Sequence, residues 1–564
     1  MKAPFRIGGG LLALACLTAF AAPEETPTQR EARTAWWREA RFGMFIHYGP
    51  VSLTGKEISW SRANSNPKCP NKGPTPAEVY DNLYRQFNPT NFSAADWTGV
   101  AKAAGMKYVV LTAKHCDGFL LWDSRVDAHN IMATPFQRDL CAELAKSVRA
   151  DGLKLGWYFS PMDWRDPDFR TDRNGAFITR MQGELRELLN NYGRIDLLWF
   201  DWDAREPLYD QANTYALVKM AQPQIIINNR LDLVRLDRAT GDSNRMIKSP
   251  MADYYTPEQQ IGAYDDQRPW ETCMTLGTQW SWKPDDKIKS AAEVISILAR
   301  TVGGDGNLLL NVGPMPDGRI EPRQVEVLKQ VGVWLTKNRE SIYGTRGGPW
   351  KPARAIASTR RGKAVFVHLL RVKDDRFELP DLPCQVMSAS FMNGRPVKFS
   401  QGEGKLHLTF DPTAIDPLGT VIRLELDGPA MNLAPVEAPS LIKASASNVF
   451  RNGERYSADK AFDDDPHTRW AADAGVKQAW LQVDLGEPTT FSKVAIRESA
   501  VGGMRIQKFE VQYQDGDGWK TILAGTTIGP NFRKEFHAVT ARVVRLNILE
   551  ATDGPTIDEL EVLK

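Results

Sequence analysis

Six short apolar runs recur within the first 312 residues, and their alternation with helical stretches limits the fold more than any other feature. The runs are residues 42–47, 108–113, 153–159, 195–200, 225–228 and 307–312. Near-continuous Val, Ile and Leu runs separated by amphipathic helices predict parallel strands that are covered on both faces. The stretch SAADWTGVAKAAG shows the intervening pattern, with Ser93 as the predicted N-cap of a helix that ends at Gly105.

The length of this region decides between two folds. Roughly 300 residues of alternating strands and helices favour an α/β fold of the (β/α)8-barrel type, regular or irregular, over a doubly wound sheet. No GxGxxG motif follows the first strand, which removes the usual dinucleotide-binding interpretation. We therefore expect a barrel over residues 30–346.

After Gly347 the pattern changes to short alternating segments. KAVFVHLLRV and KLHLTF are typical of antiparallel strands, and we expect a small β-sandwich domain over residues 347–430. The Pro-rich residues 431–440 predict a linker. Alternation resumes over residues 441–564, in WLQVDLG and ARVVRLNIL for example, and indicates a second β-sandwich.

Residues 1–22 predict a secretory signal peptide. Lys2 and Arg6 precede an apolar run that ends in AFAA, which is the layout of a cleavable export signal. We expect an exported protein, periplasmic or extracellular. A lipid anchor at Cys16 is the less favoured alternative, because the preceding ALA is a poor approach to a lipidated cysteine. No later segment approaches the roughly 18 apolar residues of a membrane span.

Charge and composition narrow the class of partner. Lys and Arg number 71 against 69 Asp and Glu, and this balance argues against nucleic acid or an anionic membrane as a partner. Seventeen Trp residues supply flat apolar surface, which suits stacking on sugar rings as well as core packing. The cysteines that follow the signal are odd in number and lack CxxC spacing, so they indicate neither a disulfide framework nor a zinc site.

Polar residues stand where the predicted strands end. In a parallel barrel these carboxyl ends converge on one cleft. Each residue alone is more often a turn former or a hydrogen-bonded structural group, but their recurrence on successive strands favours a site. They are His47, His115 with Cys116 and Asp117, Tyr158, Asp201, and Asn229 with Arg230.

The residue types at these strand ends favour cleavage of a glycosidic bond. The sequence has no HxH or HExxH spacing for zinc and no motif for a redox cofactor. Aromatic rings, neutral imidazoles and carboxylates remain, which can bind hydroxyl groups and supply a catalytic carboxylate pair. Asp201 is one candidate carboxylate. Glu57, Glu258 and Glu271 compete for the second role, and composition and spacing do not choose between them.

Eight motifs, in order along the chain, resemble the α-L-fucosidases of glycoside hydrolase family 29. They are RFGMFIHYGP, LTAKHCDGFLLWDS, GWYFSPMDW, IDLLWFDW, IIINNR, YYTPEQQI, WETCMTL and GGDGNLLLNVGPMPDG. The resemblance covers about residues 33–346 and the small β domain behind them. It implies a retaining exo-hydrolase that releases terminal α-L-fucose from a fucosylated oligosaccharide or glycoprotein glycan, with no cofactor for catalysis.

The resemblance also implies roles for individual residues. Asp201 would be the nucleophile, Glu258 the acid/base, and Glu271 a supporting residue or the runner-up for proton donation. The implied fucose pocket consists of His47, His115, Cys116, Tyr158, Trp199 and Arg230, together with Glu57 and Trp60. For this chemistry Asp201 must be ionised while Glu258 holds a proton, so their environments must separate the two pKa values.

Two departures from the family pattern concern specificity. Cys116 stands where most relatives have a second histidine, and Trp202 follows the nucleophile where a small residue is more common. Both leave the preferred linkage open. The alternative functions are an α-L-galactosidase-like activity and a glycan-binding protein without catalysis.

Residues 441–564 resemble the discoidin, or F5/8 type C, sandwich of family 32 carbohydrate-binding modules. The segments that carry this resemblance are SASNVFRNGERYSADKAFDDDPHTRWAAD, WLQVDLG and PTIDELEVL. The resemblance implies a structural Ca²⁺ ion, which takes roughly six to eight oxygen ligands. Asp463, Asp465, Thr468 and Glu559 are the candidate ligands, and an Asp-rich turn without metal is the alternative.

Overall fold

A computed structural model describes residues 25–63, 73–201, 208–231, 251–353, 355–370, 375–438, 443–463, 468–499 and 503–563. The predicted signal peptide, Trp202 and Asp465 lie outside these ranges.

Eight α-helices are assigned among the described residues. They are Pro27–Ala40 (α1), Ala77–Tyr80 (α2), Ala94–Ala103 (α3), Leu140–Ala150 (α4), Asn174–Asn191 (α5), Gln211–Ala221 (α6), Ala291–Gly303 (α7) and Pro322–Asn338 (α8). Ser93 begins α3 as predicted, because its hydroxyl accepts a hydrogen bond from the backbone N–H of Asp96. Ser290 begins α7 with a capping box to Glu293.

Seven strands form one parallel, curled sheet. They are Phe42–Ile46 (β1), Tyr108–Lys114 (β2), Lys154–Phe159 (β3), Leu197–Phe200 (β4), Ile226–Ile227 (β5), Glu271–Thr275 (β6) and Asn307–Val312 (β7). Their order in the sheet is β5-β4-β3-β2-β1-β7-β6. The mixed α/β architecture is confirmed, with seven regular strands. The sequence pattern did not predict β6, because ETCMT mixes polar and apolar residues although all five are buried.

Residues 253–259 form backbone hydrogen bonds with both edge strands of this sheet. The N–H of Asp253 donates to the carbonyl of Ile227 at the end of β5, at 2.8 Å. The N–H of Cys273 in β6 donates to the carbonyl of Pro257, at 3.1 Å. These bonds hold Glu258 between the two edges, beside the strand that begins at Glu271.

Two antiparallel sheets follow and share one apolar core. Their strands are Arg346–Gly347 (β8), Ile356–Arg361 (β9), Ala364–Leu369 (β10), Arg376–Pro380 (β11), Val386–Phe391 (β12), Lys398–Gly402 (β13), Lys405–Thr409 (β14) and Thr420–Leu426 (β15). The orders are β12-β15-β10-β9-β8 and β11-β14-β13. The indole N–H of Trp334 in α8 donates to the carbonyl of Gly419 at 2.7 Å, which ties these sheets to the parallel region.

The C-terminal strands pair antiparallel around a separate core. They are Lys443–Ala446 (β16), Trp470–Ala471 (β17), Ala479–Glu498 (β18), Ile506–Asp515 (β19), Gly518–Gly525 (β20), Phe532–Ala551 (β21) and Thr556–Leu563 (β22). The order is β17-β22-β18-β21-β19-β20, and β16 pairs with β18. The expectation of C-terminal antiparallel sheets is confirmed, while the domain boundaries stay predictions. Among the described residues, no helix is long and apolar enough to cross a membrane.

Candidate active site

The alternation of side chains along β4 explains where Asp201 points. Leu197 and Trp199 belong to the cluster inside the curled sheet, whereas Leu198 and Phe200 pack toward the surrounding helices. Because a strand repeats every two residues, position 201 continues the inward series. Phe45 and His47 continue the same series at the end of β1. The strand period therefore directs Asp201 and His47 into one cleft. On β2, where Tyr108 and Val110 point inward, a register irregularity after Thr112 interrupts the period before His115.

Tyr158 and Arg230 both donate to the Asp201 carboxylate. The Tyr158 hydroxyl donates to Oδ2 at 2.7 Å, and the Arg230 guanidinium donates to Oδ1 at 2.8 Å. Burial by itself would raise the pKa of Asp201, but the Arg230 charge and the Tyr158 hydrogen bond outweigh it and hold the pKa below the usual value. Asp201 is therefore kept ionised.

One nitrogen of Arg230 contacts two carboxylates. Its Nη1 lies 2.8 Å from Asp201 Oδ1 and 2.9 Å from Glu258 Oε2. Bonds from Nε and Nη2 to Thr256 fix the guanidinium, at 2.8 and 3.2 Å. The Glu258 side chain is 42% exposed, against 20% for Asp201, so Glu258 borders the open side of the cleft.

The two predicted histidines line the same cleft as neutral rings. His47 donates from Nδ1 to Oδ1 of Asn311 at 2.6 Å, and Nδ1 of His115 lies 2.6 Å from the Ser59 hydroxyl. Burial lowers the pKa of His47 to about 3 and that of His115 to about 4. The His115 ring stacks on Tyr158 with centroids 5.3 Å apart. Neutral imidazoles offer both a donor and an acceptor to sugar hydroxyls.

The structure separates the three competing glutamates. Glu271 is completely buried at the start of β6, away from the carboxyl ends of the strands where Asp201 lies. The Glu57 carboxylate accepts backbone N–H bonds from Ile58, Trp280 and Ser281, at 2.9, 2.8 and 3.2 Å. Burial raises its pKa. Of the three, only Glu258 shares a cation with Asp201.

Other predicted residues take varied positions. The Cys116 side chain is buried, with Sγ 3.2 Å from the Ser160 hydroxyl. Trp60 is 41% exposed and contacts Trp164 edge to face. Trp199 is buried beneath Arg230, whose guanidinium carbon lies 4.7 Å from the centre of the Trp199 ring. The roles of these residues in binding stay predictions.

Sequence reasoning missed three residues of this cleft. Trp280 packs against His47 with ring centroids 4.8 Å apart, while Asn311 and Ser59 orient the two histidines. Asn311 near the end of β7 satisfied the same strand-end rule and could have been found by it. Trp280 and Ser59 lie in loops, where no periodic signal marks them.

The proposed calcium ligands are only partly described. The Thr468 hydroxyl donates to Asp463 Oδ1 at 2.7 Å, and the ammonium of Lys460 lies 3.8 Å from Oδ2. Glu559 is buried on β22. No group of three His, Cys, Asp or Glu side chains able to hold a metal occurs within the described ranges. A calcium site would therefore depend on Asp465 and on main-chain oxygens, and it stays a prediction.

Comparison with known proteins identifies the family of this chain. A family model for alpha-L-fucosidase matches residues 17–340. The chain belongs to the alpha-L-fucosidase family. The protein is thus a glycoside hydrolase, as the motif resemblance implied. A second model, for the F5/8 type C domain, matches residues 442–560 and confirms the C-terminal resemblance.

Several known alpha-L-fucosidases align with most of this chain. Tissue alpha-L-fucosidase of Rattus norvegicus is 29% identical over 442 residues, which is 72% of this chain and 91% of the rat protein. Tissue alpha-L-fucosidase of Homo sapiens is 30% identical over 365 residues, 60% of this chain and 75% of the human one. The structure of alpha-L-fucosidase isoenzyme 1 from Paenibacillus thiaminolyticus aligns with a TM-score of 0.62 and 31% identity, covering 71% of this chain and 99% of that one.

Proposed function

We propose that this protein is a retaining exo-α-L-fucosidase, with Asp201 as the nucleophile and Glu258 as the acid/base. The observation that carries the proposal is the shared contact of both carboxylates with Arg230 Nη1. The two oxygen atoms that contact Nη1, Asp201 Oδ1 at 2.8 Å and Glu258 Oε2 at 2.9 Å, lie closer together than the separation of about 6.5 Å that is the shortest in inverting enzymes. Retaining enzymes place the two groups about 5–5.5 Å apart, whereas inverting ones need about 6.5–9.5 Å for a water between them.

The proposed reaction has two displacements. The Asp201 carboxylate attacks the anomeric carbon, the glycosidic bond breaks, and Glu258 gives its proton to the leaving oxygen. Glu258, now a carboxylate, takes a proton from the incoming water as that water attacks the same carbon and releases Asp201. Arg230 and Tyr158 keep Asp201 ionised for the first step, and no cofactor takes part.

The cleft has groups suited to a neutral sugar. His47 Nε2 is left as an acceptor for a sugar hydroxyl, because Nδ1 already donates to Asn311. The half-buried Trp280 ring offers an aromatic surface suited to the C6 methyl of fucose. The buried Phe45 ring packs against it, with ring centroids 6.0 Å from Trp280 and 5.3 Å from Trp199. The expected substrates are terminal α-L-fucosides of oligosaccharides or glycoprotein glycans.

Release of 4-nitrophenol from 4-nitrophenyl α-L-fucoside tests the activity. Asp201→Asn should lose nearly all turnover, and Asp201→Gly with azide should yield the inverted fucosyl azide. Asp196→Asn is the matched control, because Asp196 precedes the same strand at its other end and bonds the Leu155 N–H at 3.1 Å. It should keep near-normal turnover.

Retained activity in Asp201→Asn would refute the nucleophile. Turnover of an α-L-galactoside in preference to the fucoside would favour the galactosidase alternative, and a folded protein that turns over neither would favour glycan binding without catalysis.

A further inference from the structure

Glu271 is a buried carboxyl that the proposed reaction does not use. Its Oε2 accepts hydrogen bonds from the Tyr108 hydroxyl at 2.5 Å and the Trp37 indole at 3.1 Å, and its Oε1 accepts one from the Trp199 indole at 3.3 Å. These donors come from β2, α1 and β4. A buried carboxyl is costly unless donors surround it, and burial here raises the pKa of Glu271 to about 7. An apolar side chain would fill this position in the core without the free-energy cost of burying a carboxyl group.

The Trp199 ring connects Glu271 to the nucleophile. One face of the ring stacks on Tyr158, with centroids 5.5 Å apart and planes 19° apart, and Arg230 lies 4.7 Å from its centroid. Tyr158 and Arg230 each donate a hydrogen bond to Asp201. A single indole therefore contacts both of these donors.

We propose that Glu271 is a positioning residue for the nucleophile: it fixes the Trp199 ring, which holds Tyr158 and Arg230 in the orientation that bonds Asp201. The inference rests on the proposed role of Asp201. A hydrogen bond to the indole N–H restrains rotation of the ring in its plane and its tilt against Tyr158. A small tilt would lengthen the bonds to Asp201, and displacements near 1 Å can cost about 100-fold in rate.

Glu271→Gln tests this with little change of volume. The amide nitrogen can only donate. We expect the amide oxygen to keep the Oε2 position, which accepts two hydrogen bonds, so that the nitrogen faces the Trp199 indole N–H and that bond is lost. We expect kcat to fall about tenfold or more, with KM changed far less, and the acid limb of the kcat/KM profile to move to higher pH. That limb reports the protonation of Asp201. The groups near Asp201 that affect its charge are unchanged in this variant: Arg230, Tyr158, His115 and Glu258.

Asp305→Asn is the matched control. Asp305 is also buried and pairs with Arg41 at 2.6 Å, but none of its described contacts is with Glu271 or Trp199. The Asp305→Asn substitution should lower the free energy of unfolding and leave the acid limb in place.

Trp199→Phe keeps a ring against Tyr158 but removes the indole N–H. Its effect and that of Glu271→Gln should not multiply in the double variant, because both break the same bond.

The outcomes separate this inference from the proposed function. Wild type without fucosidase activity would defeat the proposed function itself. With an active wild type, a folded Glu271→Gln variant whose acid limb is unmoved would overturn the positioning role, as would fully multiplicative effects in the double variant. Should Glu271→Gln fail to fold, Trp199→Phe decides alone: an unmoved acid limb overturns the proposal and a raised one supports it.

Discussion

Arg230→Gln is the substitution that most directly tests how Asp201, the proposed nucleophile, is kept ionised. In the structure the guanidinium lies between Asp201 and Glu258 and bonds both at under 3 Å. The variant removes this charge from beside Asp201. Asp201 should then hold a proton more tightly, because its negative charge loses this counter-ion.

The size of the effect follows from Coulomb's law. Charges about 4 Å apart interact by about 4 kcal/mol at an effective dielectric constant of about 20. One pKa unit corresponds to about 1.4 kcal/mol, which sets an upper limit of about three units. The Asp201 side chain is 20% exposed, so water screens part of this interaction. We expect a rise of about two units in the acidic pKa of the kcat/KM profile.

The assay is the pH dependence of kcat/KM on 4-nitrophenyl α-L-fucoside. The acid limb should move up by about two pH units in Arg230→Gln. Arg230→Lys is the matched control, because it keeps a positive charge but loses the planar fork, and it should shift the limb less. An unmoved limb in a folded Arg230→Gln variant would refute the view that this cation keeps Asp201 ionised.

Two further predictions concern the proposed proton donor, Glu258, and the buried His115. Glu258→Ala should slow the hydrolysis of substrates with poor leaving groups far more than that of the aryl fucoside. Glu57→Ala should show no such dependence on the leaving group. The reverse pattern would assign the acid/base role to Glu57. The free energy of unfolding should fall as pH drops from 6.5 to 4, because His115 titrates at about 4 when folded and the unfolded chain binds that proton earlier. The 2.5-unit difference is worth about 3 kcal/mol, and His115→Gln should flatten this part of a urea-unfolding series against pH.

Much of the fold could be read from local pattern. The apolar runs marked six of the seven parallel strands because buried parallel strands need continuous Val, Ile and Leu. β6 escaped this rule, since its polar side chains find partners inside the protein: Glu271 accepts from the Trp199 indole, and the Thr272 hydroxyl donates to the carbonyl of Gln260. Such partners come from distant segments and leave no local signal.

The sequence by itself determined the direction of the Asp201 side chain. A residue after LLWF continues a two-residue period, and that period is a local property of the strand. Tertiary structure decided which glutamate faces it. Glu57, Glu258 and Glu271 all lie outside the predicted runs, and only the backbone bonds of residues 253–259 to β5 and β6 bring Glu258 to Arg230. Those bonds join segments far apart in the chain, so no local pattern encodes them.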